Sequence, residues 1–284
     1  MTDQQDVKKI FEFIKKLTLE AGVIMKCGFE SEKEISEKKD VWDVVTNYDR
    51  RLEELFTNAI MKEYPDHKII GEEAMSEKKE LPELTDAPTW LIDPIDGTLN
   101  FIHSFPHTCI SVALAIRKEV VLGIVYNPMA DELYTAMKGD GAFLNGKPLH
   151  TNKVTTLKKA LIVMESWLLR PGSKNNDIQV GRFETIVASA HAVRSLGCAA
   201  LALSYLAKGA VDCFYLDGLQ PWDVAAGMLI AREAGGTVID TKGGEYDFMK
   251  PNTVAGCTKE LAVDISKIIV DTDLKIQRKR LQRT

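Results

Sequence analysis

The stretch WLIDPIDGTLNF, residues 90–101, sets an apolar run against two aspartates three positions apart, with a proline between them and a Gly-Thr pair just after. Trp90-Leu91-Ile92 reads as the end of a buried strand. Pro94 cannot donate a ladder hydrogen bond and fixes its own φ, which predicts a strand over 89–92 that stops as Asp93 opens a turn. Two anionic groups held together at a strand end repel each other, so something positive is expected between them.

Working outward, Lys68-Ile69-Ile70 is a short strand ending at Gly71. Helices are predicted on both sides of the 31–40 stretch. The first covers 3–28, where Ile10, Ile14, Leu17, Ala21 and Ile24 share one face; the second covers 48–63, with Leu52, Leu55, Phe56, Ala59 and Ile60 inward. SEKEISEKKD, residues 31–40, reads as an exposed loop or weak edge strand. After the opening stretch come CISVALAI (109–116), VVLGIVY (120–126) and ELYTA (132–136), short strands joined by tight polar turns at Arg117-Lys118-Glu119, Gly139-Asp140-Gly141 and Asn145-Gly146. The last third alternates: strands at 160–165, 211–216 and 237–240, helices at 198–208, 223–234 and 258–269, with Gly235-Gly236 stopping the second helix. An α+β half (1–152) followed by an α/β half (153–284) predicts stacked layers in a single domain spanning 1–284, an antiparallel sheet in the first half and a mixed sheet in the second.

Composition sets bounds on function. The 284 residues are 45% apolar and 27% charged, enough for a core without disulfides, and the net charge of −5 argues against a nucleic-acid grip by bulk charge. Five cysteines, odd in number and without CxxC spacing, read as reduced thiols of a cytoplasmic protein with no zinc signature. Apolar runs shorter than ten residues exclude a membrane-spanning helix, and the basic KIQRKRLQRT end reads as a solvated tail or frayed helix end.

Three acidic spots then fall at element ends: Glu72-Glu73 after the 68–70 strand, Asp93 and Asp96 after the 89–92 strand, and Asp223 before the 223–234 helix. If the two strands are neighbours, their loops leave from one edge. Oxygen-only clusters suit Mg²⁺, whose octahedral shell is completed by a substrate phosphate and water; two ions sharing an aspartate would answer the repulsion. Each spot alone has a plainer reading: a solvated turn for Glu72-Glu73, Asx hydrogen bonds for Asp93 and Asp96, a first-turn acid welcomed by the helix dipole for Asp223. Together and in this order they are far more specific.

IGEE, WLIDPIDGTLNF and PWDVAAGMLIAREAGG, with VVTNYD (44–49), YTAMKGDGAFLNGKPL (134–149) and VRSLGCAA (193–200), resemble the inositol monophosphatase family, part of a wider superfamily of Mg²⁺-dependent, lithium-sensitive sugar and nucleotide phosphatases. The resemblance covers nearly the whole chain and implies a layered α/β/α/β/α sandwich and a cytoplasmic homodimer. It also implies hydrolysis of a phosphate monoester, inositol monophosphate first, by metal-activated water with two to three Mg²⁺ per subunit. Glu72, Asp93 and the Ile95 carbonyl would hold one ion, Asp93, Asp96 and Asp223 a second, and Glu72 a weaker third. Gly97 and Thr98 would bind phosphate through backbone donors. Thr98 paired with Asp49, together with Glu72 and Glu73, would position and deprotonate the water.

On the substrate side the resemblance implies Gly197, Cys198 and Ala199 along one wall, with Cys198 reading equally as a buried small thiol. Leu216 stands where a glutamate contacting an inositol hydroxyl is expected. A one-residue adjustment lets Asp217 take that contact; without it the enzyme is less selective. His103 and His107 read as loop or core histidines. Two other functions compete: a sister phosphatase acting on fructose bisphosphate or 3′-phosphoadenosine nucleotides, and a catalytically silent binding protein on the same fold.

Overall fold

Alternation of apolar residues along the central strands puts side chains on both faces of a sheet, and both faces need cover. In the computed structural model, which describes residues 4–38, 44–76, 78, 80–169 and 176–282, helices supply it. The chain opens with α1 (Gln4–Glu30), a small hairpin of β1 (Ile35–Glu37) and β2 (Val44–Thr46), and α2 (Asn47–Glu63). It continues through β3 (Lys68–Gly71), α3 (Glu72–Ser76), β4 (Thr89–Asp96), α4 (Thr98–Ile102), β5 (Cys109–Ile116), β6 (Glu119–Asn127), β7 (Glu132–Met137), β8 (Gly141–Leu144) and β9 (Lys147–Pro148). Strands β3 to β9 form a seven-stranded sheet in chain order, antiparallel except for the parallel pair β3–β4.

The second half alternates as expected: β10 (Leu161–Met164), α5 (Asn176–Ser189), β11 (Ala192–Arg194), α6 (Ala199–Ala207), β12 (Cys213–Asp217), α7 (Pro221–Glu233), β13 (Thr237–Asp240), β14 (Asn252–Gly256) and α8 (Lys259–Leu281). Its five strands pair in the order β11-β10-β12-β14-β13, parallel on one side and antiparallel on the other. Three apolar cores separate the layers. Trp90, Ile92, Val112 and Ile124 pack on α1 and α2; Leu91, Ala113 and Val125 pack on α6 and α7, which also meet Phe214 and Leu216; Ile162 and Tyr215 pack on α8. The layering is therefore α/β/α/β/α. Burying a side chain as large as Trp90, fully enclosed here, contributes about 2–3 kcal/mol. The middle layer is thin because its residues are small: a Cβ on Gly123 of β6 would lie 2.8 Å from the Ala226 carbonyl of α7.

Several boundaries differ from the sequence reading. Strand β4 does not stop before Pro94 but runs on to Asp96. Helix α7 begins at Pro221, two residues before the expected start, capped by Gln220, with Asp223 in its first turn. The C-terminal helix runs past its expected end at 269 to Leu281, through the stretch read as a solvated tail or frayed helix end. Helix α5, where periodicity gives no signal, buries Ile178, Arg182 and Ile186. The expected helix start at residue 3 and the end of the 31–40 loop lie outside the described residues.

Candidate active site

The parallel pairing of β3 with β4 sets Gly71 opposite Ile92, so the chain leaves both strands on one edge, with Glu72 and Asp93 next in line. The continuation of β4 then solves a geometric problem. In a regular strand, residues three apart face opposite sides. Between Asp93, opposite Ser111, and Asp96, opposite Cys109, β4 advances three residues while β5 advances two. That bulge admits Pro94 and turns both aspartates into the same cleft. Proline thus re-aims the strand instead of ending it.

Each carboxylate is fixed by donors that leave it only partly satisfied. Asp93 Oδ1 accepts from Ile95 N (3.0 Å). Asp96 Oδ2 accepts from Ala200 N (2.6 Å), at the start of α6, and from Cys198 Sγ (3.1 Å). Asp223 Oδ2 accepts from Gln220 N (2.7 Å) in a capping box. Ser111 Oγ, opposite Asp93, donates to Trp222 O (3.0 Å) and so ties the first turn of α7 to the sheet. Glu72, Asp93, Asp96 and Asp223, from three separate stretches of chain, line one cleft of about 670 Å³ together with Ile95, Gly97 and Thr98.

Gly97 has φ +82°, and a Cβ there would meet Gly197 O at 2.9 Å and His107 O at 3.0 Å. Only glycine makes this turn into α4. Thr98 Oγ1 lies 3.1 Å from Ile95 O and 3.5 Å from Asp49 Oδ1. Asp49 is the third residue of α2; its other oxygen accepts from Thr46 N (2.8 Å) and Thr46 Oγ1 (2.5 Å). Gly197, Cys198 and Ala199 line the opposite wall.

Asp49, Glu73 and Asp217 do not line the cleft. Asp49 reaches it through Thr98. Glu73 accepts from Lys38 Nζ (2.6 Å), which also donates to Glu72 Oε1 (2.8 Å). Asp217 contradicts the expectation of a sugar contact: its Oδ2 accepts from Arg182 Nη1 (2.5 Å) and Tyr215 Oη (3.4 Å), on the α5 side of β12. A buried guanidinium holds it on that side. His103 caps α4 and His107 stacks on Phe105, in keeping with loop and core roles.

Four positioning residues escaped the sequence reading. Glu53, buried on α2, accepts from Glu73 N (2.8 Å) and Ala74 N (2.7 Å) and fixes the first turn of α3. Its signal was the i, i+4 pair with Asp49 on a buried helix face. Glu165, just past β10, accepts from Ser195 Oγ (2.8 Å), Leu196 N (3.1 Å) and Gly197 N (3.0 Å). Asn100 Nδ2 donates to His107 O and Leu196 O, both at 2.7 Å. Lys38 sits in the stretch read as an exposed loop. Glu165 and Lys38 left no local signal, since their partners are distant in sequence, and nothing near Asn100 points to its far partner Leu196.

The electrostatics are those of acids lacking a counter-charge. Burial first, then Glu72, Asp96 and Asp223, push Asp93 well above the ordinary carboxylate range. Burial, then Asp96 and Glu72, does the same to Asp223. Asp96 is pushed up to about 6 by burial although Ala200 and Cys198 pull it down, and Asp49 reaches about 6 by burial against its bonds from Thr46. Glu73 is pushed up to about 7 by burial and Glu72, with Lys38 opposing. Burial would lower Lys38, but Glu72 and Glu73 outweigh it and raise it.

A hard divalent cation fits this donor set, which offers carboxylate and carbonyl oxygens and relieves its own repulsion only by binding positive charge. Cys109 and Cys198 lie within 4.8 Å of an Asp96 oxygen and of each other, but burial pushes both thiols up, so they stay protonated and do not make a soft-metal site.

The description of the inositol monophosphatase family matches residues 6–272. Inositol monophosphatase 2 of Rattus norvegicus is 41% identical over 262 residues, covering 91% of this chain and 89% of that protein. The solved Thermotoga maritima IMPase superposes with a TM-score of 0.83 at 30% identity, covering 94% of this chain and 99% of its own. A crystal structure of Staphylococcus aureus SaIMPase-II with inositol monophosphate bound gives 0.79 at 29% identity, covering 97% and 100%. Sequence, layering and cleft lead to one conclusion: the chain belongs to the inositol monophosphatase family.

Proposed function

We propose that this chain, a phosphate monoesterase of its family, hydrolyses inositol monophosphate to inositol and phosphate with Mg²⁺ as cofactor. The observation that carries the reading is the convergence of Glu72, Asp93, Asp96 and Asp223 in one cleft beside the Gly97 turn. The relative solved with inositol monophosphate supports the choice of substrate. Glu72, Asp93 and the Ile95 carbonyl would hold one ion, and Asp93, Asp96 and Asp223 a second, with Glu72 near a weaker third. Magnesium, when bound, supplies Lewis acidity that eases ionisation of water and offsets the charge on the phosphoryl and leaving oxygens.

The chain's own groups do the rest. The backbone N–H groups of Gly97 and Thr98 hold the phosphate oxygens and fix the ester in line. The Thr98 hydroxyl orients the attacking water. The water gives a proton to the Thr98 oxygen as that hydroxyl passes its own to Asp49, whose carboxylate is pushed up to about 6 and so accepts near neutral pH, or gives it to Glu72. Glu73, held by Lys38, keeps α3 and hence Glu72 in place. A homodimer in the cytoplasm and sensitivity to lithium belong to the same reading.

Phosphate release from inositol 1-phosphate, fructose 1,6-bisphosphate and 3′-phosphoadenosine 5′-phosphate, with and without Mg²⁺, tests it. The expected result is Mg²⁺-dependent release with inositol 1-phosphate the best of the three. A higher kcat/KM on either of the others makes the chain a sister phosphatase, and no release from any ester refutes catalysis.

A further inference from the structure

Strand β10 runs parallel beside β12, with Met164 opposite Tyr215, so the chain leaves both strands side by side at the edge of the cleft. The two deliver different chemistry there. From β12 comes Leu216, which lines the cleft with no polar side-chain atom, and Asp217, which Arg182 holds on the α5 side. From β10 come Glu165 and Ser166, and both line the cleft. Ser195, just before the wall of Gly197, Cys198 and Ala199, joins them.

The hydrogen bonds of this trio run in one direction. Glu165 is 3% exposed, and its Oε1 accepts from Leu196 N (3.1 Å) and Gly197 N (3.0 Å). A carboxylate only accepts, so the 2.8 Å bond between Ser195 Oγ and Glu165 Oε2 uses the Ser195 proton. Ser195 Oγ also accepts from Ser166 N (3.1 Å), which leaves it one lone pair for Ser166 Oγ, 3.2 Å away. The Ser166 proton is therefore directed to Ser195, and both lone pairs of the exposed Ser166 Oγ stay open. Hydrogen bonds in a chain polarise one another, and a charged acceptor at the end strengthens the series. Ser166 Oγ thus accepts more strongly than an isolated serine would.

We propose that Ser166 is a specificity-determining residue: its Oγ accepts a hydrogen bond from a free hydroxyl of the polyol phosphate. Ser195 and Glu165 are positioning residues that aim and polarise it. The relay carries the pull of a buried carboxylate to the rim beside β12, where Leu216 and Asp217 supply none. This rests on the phosphatase reading above and assigns the group that recognises the polyol within it.

Cyclohexyl phosphate, an alkyl ester of the same ring without free hydroxyls, is the reference against inositol 1-phosphate. At saturating Mg²⁺, Ser166→Ala lowers the ratio of kcat/KM for inositol 1-phosphate over cyclohexyl phosphate about fivefold to tenfold, chiefly through the inositol 1-phosphate KM. Ser166 is exposed and opens a single 3₁₀ turn, so the substitution leaves the core intact. Ser166→Thr, which keeps the hydroxyl, holds the ratio within about twofold of wild type. Ser195→Ala keeps Ser166 but cuts it from Glu165, and lowers the ratio about threefold. An unchanged ratio in Ser166→Ala or in Ser195→Ala overturns the proposal. So does an equal loss on both esters, which is what a merely structural role produces.

Calorimetric titration with non-hydrolysable inositol 1-phosphonate in the presence of Mg²⁺ reports on the contact without turnover. The expected Kd is about fivefold higher in Ser166→Ala than in wild type. That loss of affinity, with no ester hydrolysed by the wild type, sinks the phosphatase reading and sustains the contact. Hydrolysis by the wild type with equal phosphonate affinity in both proteins does the reverse.

Discussion

Strands β4 and β12 both end on an aspartate in mostly buried surroundings, and the two ends differ in what neutralises them. At β12, Arg182 donates to Asp217 through Nη1 and to Asp273 through Nε (2.7 Å) and Nη2 (2.5 Å), with Tyr215 Oη completing the cluster. Burial lowers the guanidinium, but Asp273, Tyr215 and Asp217 more than restore it, and it stays charged. At β4, Asp93, Asp96 and Asp223 have no such partner among the described residues, and their affinities for protons rise. One cluster carries its cation in the sequence; the other, on the function proposed above, takes one from solution. The first is architecture and the second is a site.

The largest effect expected from that contrast is at Asp96. Asp96→Asn removes a charge from the floor yet keeps an oxygen to accept from Ala200 N, so α6 stays capped. Mg²⁺-dependent kcat/KM should fall about a hundredfold to a thousandfold, while the metal-free melting temperature holds or rises because repulsion is relieved. Wild-type turnover in this variant would remove Asp96 from the floor.

Arg182→Met tests the other end. It leaves Asp217 and Asp273 facing each other without their cation, and breaking a buried pair in this way costs about 3 kcal/mol or more. Urea unfolding should show the loss, and Mg²⁺ should not restore it, since the deficit lies outside the cleft. Rescue by Mg²⁺ would mean the two clusters are coupled through β12.

The floor also predicts a pH dependence with a definite sign. Asp96 and Asp49 are pushed up to about 6 and Glu73 to about 7 in the folded chain, above the ordinary range they have when unfolded. Between about pH 4 and 7 the folded chain therefore binds more protons, and the contribution of these groups to stability, fully present below pH 4, is lost as pH rises through 6 to 7. The melting temperature of EDTA-treated protein should fall by about 5 °C from pH 5 to pH 7.5, and Mg²⁺ should abolish the fall. A metal-free profile that rises over this range would contradict the account of an uncompensated floor.

How much of this was readable beforehand follows from the range of each interaction. The central strands, α2 and the acidic loops were legible because periodicity and strand-end chemistry are local. Pro94 was misread because its bulge depends on the neighbour β5, whose register no local pattern encodes. Helix α5 was missed because one of its buried positions is Arg182, whose partners lie on β12 and α8. The far turns of α8 are exposed and charged, so they resemble a tail, although Arg280 Nε reaches Asp177 Oδ2 on α5 (2.9 Å). Asp217 was assigned to the cleft by its place beside Leu216, and only the fold shows which way it turns.

The smallest effect concerns Glu53, which sits behind the floor without touching the cleft and is built like the β12 end: an acid fully occupied, here by the backbone donors Glu73 N and Ala74 N. Glu53→Gln keeps one acceptor and loses the other, leaving one N–H of α3 poorly paired at about 1 kcal/mol. Since α3 begins at Glu72, the loss should appear as looser placement of a carboxylate proposed to hold the metal: about a fivefold higher Mg²⁺ concentration for half-maximal activity, with kcat at saturating Mg²⁺ within about twofold. Glu53→Ala should go further in the same direction. If kcat fell and the Mg²⁺ requirement did not move, Glu53 would be acting on the water-positioning side, through Asp49 one helical turn away, rather than on the metal side.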